Sequence, residues 1–286
     1  MKNIKKYQGI REYLDNFVFQ FNYEYKEISD PPIEDINQWM QEYWTEMIYR
    51  YHLTCLTTLL RTKKWLNSVF IAYKGKDYYL FCVALRGLIE SCADSFYTLG
   101  KANPFFAKHK KYIEDLFLSS HMAEIRISSE LENELIHFIF ARKLSRAEQR
   151  KYPEAHQAEQ VRHYLNALNN DKVVKAYSHL CQISHPSFES INIFLSSDSP
   201  NNINLSSNCD DMKLMINLWE EYEETIGTLI NQAITPAICG LKLLNLYQIE
   251  CLTSYKLEDK FLNNLNCGKY WENLLFISSN KKAPKT

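Results

Sequence analysis

Apolar residues recur every three to four positions along most of this chain, and that spacing predicts helices rather than strands. The first predicted helix runs from about Ile4 to Tyr25 and ends where Asp30-Pro31-Pro32 forbids continuation. Residues Ile33 to Tyr73 follow as one long helix or two in line, with Trp39, Tyr43, Met47 and Tyr51 on a shared face. A turn at Lys74-Gly75-Lys76-Asp77 leads into a very apolar helix from Tyr78. Gly100 and Pro104 are expected to end it, Gly100 as the C-terminal cap. Shorter helices are predicted at Phe105–Ser119, Ser128–Lys143, Glu159–Leu168 and Asp171–His185, the last two interrupted at Asn169-Asn170. Arg146–Ala155 reads as a polar loop.

From Pro186 to Cys209 the character changes to serine and asparagine. This is either a surface loop or a small hairpin pairing Ile191–Leu195 with Ile203–Leu205 across Ser199–Asn202. Asp210-Asp211 opens a long helix to about Tyr247, acidic at its positive end as the dipole favours, with a kink expected at Pro236. An amphipathic stretch from Leu257 to Phe276 precedes a basic tail. The fold class expected is all-α: a multi-helix bundle with long kinked helices and a Ser/Asn-rich loop or small hairpin near 186–209. Three segments are expected: N-terminal helices (1–75), a helical core with a polar site (76–190) and C-terminal helices packed on the same core (191–286).

Composition supports this. The 286 residues carry only 7 Gly and 8 Pro, too few for the turns of a strand-rich fold. A net charge of −1 argues against a protein that coats nucleic acid globally, while leaving room for local basic patches such as Lys108-His109-Lys110-Lys111. Those patches read as solvated helix ends. The eight cysteines show no CxxC and no zinc-ligand spacing, and most lie in apolar helical runs. With no secretory leader pattern at Met1–Leu14, reduced cysteines and a cytoplasmic location are expected. Thr225–Tyr247 is apolar enough to raise the membrane question, but Asn231, Gln232, Lys242 and Asn245 favour a buried core helix, so no membrane is expected. The 34 Tyr and Phe residues spread through every helix as packing groups rather than as a base-stacking surface.

Two constellations carry the candidate chemistry. In YYLFCVALRGLIESCADSFYTL the charges Arg86, Glu90 and Asp94 recur every fourth residue and share a helical face. Charge in so apolar a helix must be paired or must line a polar cavity. The second is the helix end YSHLCQISHPS, where Tyr177, Cys181 and His185 share a face and Pro186 stops the helix just after His185. The negative end of the dipole favours the cationic imidazole, suiting His185 to proton transfer. Ordinary roles, a register-fixing ion pair and a capping histidine, account for the same residues. Nucleotide loops (GxxxxGK[ST], GxGxxG), GxSxG and HExxH are all absent from the sequence.

RGLIE followed some ninety residues later by Tyr177, Leu180, His185, Pro186 and Ser187 resembles a family of uncharacterised bacterial helical proteins with an RxxxE helix and a later YxxLSxxxHPS helix end. Here Cys181 stands where that family more often has Ser. More distantly the chain resembles the HEPN superfamily of prokaryotic toxins and anti-phage effectors, which carry R-x4–6-H on one helix and cleave RNA as dimers. In this chain Arg162 and His163 are adjacent, so Arg86 and His185 would have to meet across two helices. The resemblance implies metal-independent RNA cleavage in defence or a toxin-type system. Arg86, Glu90 and His185 would be catalytic and Tyr177, Asp94 and Ser187 substrate-binding, with no metal or other cofactor. RNA is the implied substrate, and a homodimer or larger complex the implied assembly. The alternative is a non-catalytic helical scaffold or regulatory subunit of a bacterial defence complex.

Overall fold

A computed structural model describes residues 4–15, 19–24, 35–118, 125–151, 157–199, 202–207, 209–258, 262 and 267–279. Among these lie ten α-helices: α1 (Ile4–Asp15), α2 (Ile36–Gly75), α3 (Tyr78–Leu118), α4 (Ser129–Phe140), α5 (Arg146–Lys151), α6 (Val161–Ala167), α7 (Asp171–Ser184), α8 (Phe188–Asn192), α9 (Asp211–Asn245) and α10 (Gly268–Ser278). A two-stranded antiparallel hairpin, β1 (Leu195–Ser199) with β2 (Asn202–Leu205), and a 3-10 turn at Glu250–Tyr255 complete them. The protein is all-α. The chain forms two compact units. One comprises Met1–Asp15, Leu60–Ala93 and Val161–Gln232; the other comprises Asn16–Leu59, Asp94–Gln160 and Ala233–Thr286.

In the first unit Trp219 is the aromatic centre. Tyr7 meets it edge-on at 5.3 Å and Phe81 at 6.4 Å. The same unit buries Leu85, Leu88 and Ile89 of α3, Val173, Ala176, Leu180 and Ile183 of α7, and Met215, Leu218 and Ile226 of α9. The α7 set falls at i, i+3, i+7 and i+10, one stripe facing the core. The start of α3 is fixed twice. Asp77 Oδ1 accepts from the Leu80 N–H at 2.9 Å, and Asp211 Oδ2 accepts from the Tyr78 N–H at 3.2 Å. The expected interruption before α7 is built by Asn169, which takes a left-handed φ of 47°, and by Asn170, whose side chain caps the helix at Lys172.

In the second unit the core is aromatic. Tyr51 stacks on Phe106 at 4.1 Å, and Trp44 and Tyr247 are fully buried beside them. Asn103 lies at the centre, wholly buried. It accepts from Tyr51 Oη at 2.5 Å and donates to the Pro236 carbonyl and to Tyr270 Oη at 2.9 Å each.

Several expected boundaries are corrected. Helix α1 ends at Asp15 instead of Tyr25, and residues 19–24 are non-helical. Helix α3 does not stop at Gly100–Pro104 but runs to Leu118 with Pro104 inside it. Proline in a helix costs about 3 kcal/mol. Here Leu99, Ala102, Asn103, Phe106 and Ala107 are all buried in the same unit, and that burial outweighs one lost backbone bond. Residues 146–151 are helical rather than loop, with Glu148 bonded to the Ser145 N–H at 2.9 Å and to Arg142 at 2.8 Å. Ile191 and Asn192 belong to α8, so the hairpin strand begins at Leu195. The basic tail and most of 259–266 lie outside the described residues. Among the described residues no helix is long and apolar enough to cross a membrane.

Candidate functional site

Helices α3 and α7 of the first unit bring four of the expected side chains together. Arg86 Nε donates to Glu90 Oε1 at 3.0 Å, one turn along α3. Tyr177 Oη, from α7, donates to the same carboxylate oxygen at 2.9 Å. The Arg86 guanidinium lies 5.6 Å over the Tyr177 ring. Arg86 Nη1 meets His185 Nε2 at 2.9 Å. The sequence reason is register. Tyr177 and His185 sit on the α7 face next to the buried Val173–Ile183 stripe, so they emerge at the rim where α7 meets α3.

The rim position explains how an apolar helix tolerates these charges. The side chains of Arg86 and Glu90 are 27% and 31% exposed, so neither pays the full cost of leaving water. Burial tends to lower the Arg86 pKa, but the Tyr177 hydroxyl, Cys181 and Glu90 more than reverse this, and the guanidinium stays charged. Burial, and then the hydrogen bond to Glu90, push the Tyr177 phenol well above its ordinary range, so it remains a donor.

A guanidinium has no acceptor. In the contact with Arg86, therefore, the guanidinium is the donor and His185 Nε2 the acceptor. His185 does end α7: its backbone N–H bonds to the Cys181 carbonyl at 3.0 Å, and its φ, ψ of −113°, 159° are extended, as Pro186 demands. Its ring, which is exposed, points to Arg86 rather than back to the helix carbonyls.

Ser187 lies just past the cluster, at the start of α8. It caps α8, accepting from the Ser190 N–H at 3.4 Å while its hydroxyl donates to the Gln182 carbonyl. Asp94 is half-buried, two turns beyond Arg86 on α3, and belongs to the second unit. His179 bonds Tyr222 Oη through Nδ1 at 3.0 Å and packs on its ring.

One determinant escaped the motif reading. A Cβ on Gly87 would lie 2.4–2.6 Å from the Trp65 indole carbons, so Trp65 of α2 packs directly on the α3 backbone beside Arg86. The signal was present: a glycine inside an otherwise strong helix costs about 1 kcal/mol and asks for a packing reason. Among the described residues no three His, Cys, Asp or Glu side chains converge as metal ligands.

The fold and site define an all-α protein with a small Arg–Glu–Tyr–His cluster at a helix–helix rim. Comparison with family models, with curated proteins and with solved structures finds no match.

Proposed function

We propose that the Arg86–His185 cluster cleaves RNA, in a bacterial effector of the HEPN-like anti-phage or toxin type. The observation that carries this reading is the 2.9 Å contact between Arg86 Nη1 and His185 Nε2 at an exposed helix end. A phosphate oxygen is a stronger acceptor for a guanidinium than a neutral imidazole. A bound phosphodiester therefore competes for Nη1 and releases the Nε2 lone pair. His185 Nε2 then takes the proton of the neighbouring 2′-hydroxyl as general base. The O2′–P bond forms, the P–O5′ bond breaks, and the leaving oxygen takes a proton from water. The products are a 2′,3′-cyclic phosphate and a 5′-hydroxyl. Arg86 offsets the charge growing on phosphorus, Glu90 orients Arg86, and Tyr177 holds Glu90 while covering one face of the guanidinium. General-base and electrostatic terms of this kind contribute about 10²–10⁴ and 10²–10³ in rate. A homodimer or larger complex is the working assembly this reading carries.

The test is incubation of mixed-sequence RNA with the protein in EDTA, with product ends read by mass spectrometry. Cyclic-phosphate ends are expected, lost at least a hundredfold in His185→Ala with little change in thermal midpoint. Intact RNA with the unaltered protein, or equal cleavage by His185→Ala, refutes it.

One observation favours a second reading. Glu90 Oε1 takes hydrogen bonds from both Arg86 and Tyr177, which ties α3 to α7 as a structural lock would. A non-catalytic scaffold built on that lock predicts no cleavage, and a loss of stability on breaking it.

A further inference from the structure

The basic run at 108–111 divides in the folded protein. Lys110 turns inward: its Nζ lies 2.7 Å from each Glu114 carboxylate oxygen and 5.7 Å over the Tyr247 ring. Lys108 and Lys111 stay exposed, and neither makes an ion pair or hydrogen bond among the described residues. Three residues apart on α3, they share one edge of the helix. With His109, Tyr112, Asp115 and Arg126 they line an open groove of about 380 Å³ within the second unit. Arg126 comes from the segment before α4, and its guanidinium lies 4.7 Å over the Tyr112 ring. The His109 ring stacks on Phe105 at 4.1 Å, and its Nδ1–H donates to the Phe105 carbonyl at 2.9 Å, so its plane is fixed. Among the described residues that line it, two exposed lysines and an arginine outnumber the single carboxylate of Asp115.

Flat rings interleaved with exposed cations suit a ligand that alternates anionic links with planar groups. We propose that this groove binds single-stranded nucleic acid. Phosphates lie against Lys108, Lys111 and Arg126, and a base stacks against the Tyr112–Arg126 pair. An acidic peptide would satisfy the cations and leave the rings unused. The proposal takes from the cleavage reading only its choice of ligand, and binding is measured apart from cleavage.

The experiment is fluorescence anisotropy of a labelled oligouridine of about twelve nucleotides, near the span such grooves cover. It uses the full chain carrying His185→Ala, so that cleavage cannot erode the signal. Lys108→Ala with Lys111→Ala is expected to weaken binding tenfold or more. The same pair should reduce the slope of log affinity against log salt by about 1.4, the value for two lost phosphate contacts on a single strand. Tyr112→Phe keeps the affinity and Tyr112→Leu loses about tenfold, because only the ring differs. Should Tyr112→Leu not fold, the lysine pair, whose side chains are exposed, decides alone. Absence of binding, affinity unchanged in the lysine variant, or polyglutamate of equal charge binding as tightly overturns the proposal. So does equal affinity of Tyr112→Leu and Tyr112→Phe.

Discussion

Replacing Arg86 by Ala removes three contacts at once, and their sum can be worked from the geometry. The Arg86–Glu90 pair is about 30% exposed on each side, so its attraction is screened and contributes about 0.5–1 kcal/mol. The hydrogen bond to His185 has a charged donor at an exposed position and contributes about 1 kcal/mol. The guanidinium over the Tyr177 ring adds about 0.5–1 kcal/mol. Glu90 is not stranded, because Tyr177 still donates to it and water reaches it. The total is about 2–3 kcal/mol. Urea unfolding of the two proteins, compared at equal m-value, reads this directly. In about 1 M salt the difference should shrink to about 1.5–2 kcal/mol as the ion pair is screened. A loss under 0.5 kcal/mol means the cluster does not hold together in solution. A loss above 4 kcal/mol means that Arg86 is sealed from water and that the rim description is wrong.

Three further outcomes follow from other parts of the molecule. His52 is buried, and burial holds its imidazole down at about 4 against an ordinary 6.5, so its neutral form stabilises the fold above pH 6.5 and that contribution is lost as pH falls toward 4. About 2 kcal/mol should be gone by pH 5, and the extra slope should vanish in His52→Gln; equal slopes in both proteins contradict the assignment. Gly87→Ala, which would gain about 1 kcal/mol by helix propensity alone, should instead destabilise by about 1–3 kcal/mol through the Trp65 ring, and Trp65→Leu in the same chain should restore most of it. Asn103→Ala should cost about 2–3 kcal/mol in urea unfolding, because it leaves the buried Tyr51 hydroxyl without its acceptor and removes the bonds to the part-buried Tyr270 hydroxyl and to the Pro236 carbonyl; a cost under 1 kcal/mol refutes that reasoning.

Local chemistry made much of the fold legible. The long helix before Lys74, the turn at Asp77, the Asn169-Asn170 break and the stop at His185-Pro186 follow from residues that act on their own backbone. The continuity of α3 through Pro104 was not legible. It depends on Asn103 and Phe106 meeting Tyr51, some fifty residues away, and on the Pro236 carbonyl, more than a hundred away. The site divides in the same way. Arg86–Glu90 is a spacing on one helix and could be read directly, while the meeting of Arg86 with His185 needed the packing of α3 on α7. That His185 Nε2 accepts in this contact follows from its partner and not from its place at the helix end. The cap that Ser187 makes at α8, with its hydroxyl bonded to Gln182 and Ser190, was not legible in the motif that ends on it. Arg126 and Tyr112 carried no sequence signal as a pair, being fourteen residues apart.

The account stands on one hydrogen bond, between the Arg86 guanidinium and His185 Nε2. Nitrogen-15 NMR of the histidine side chains at neutral pH tests it most directly. The prediction is a His185 ring protonated on Nδ1 and bare on Nε2, with the Nε2 resonance moving in Arg86→Ala and on addition of inorganic phosphate. A ring protonated on Nε2, with resonances indifferent to both changes, contradicts it.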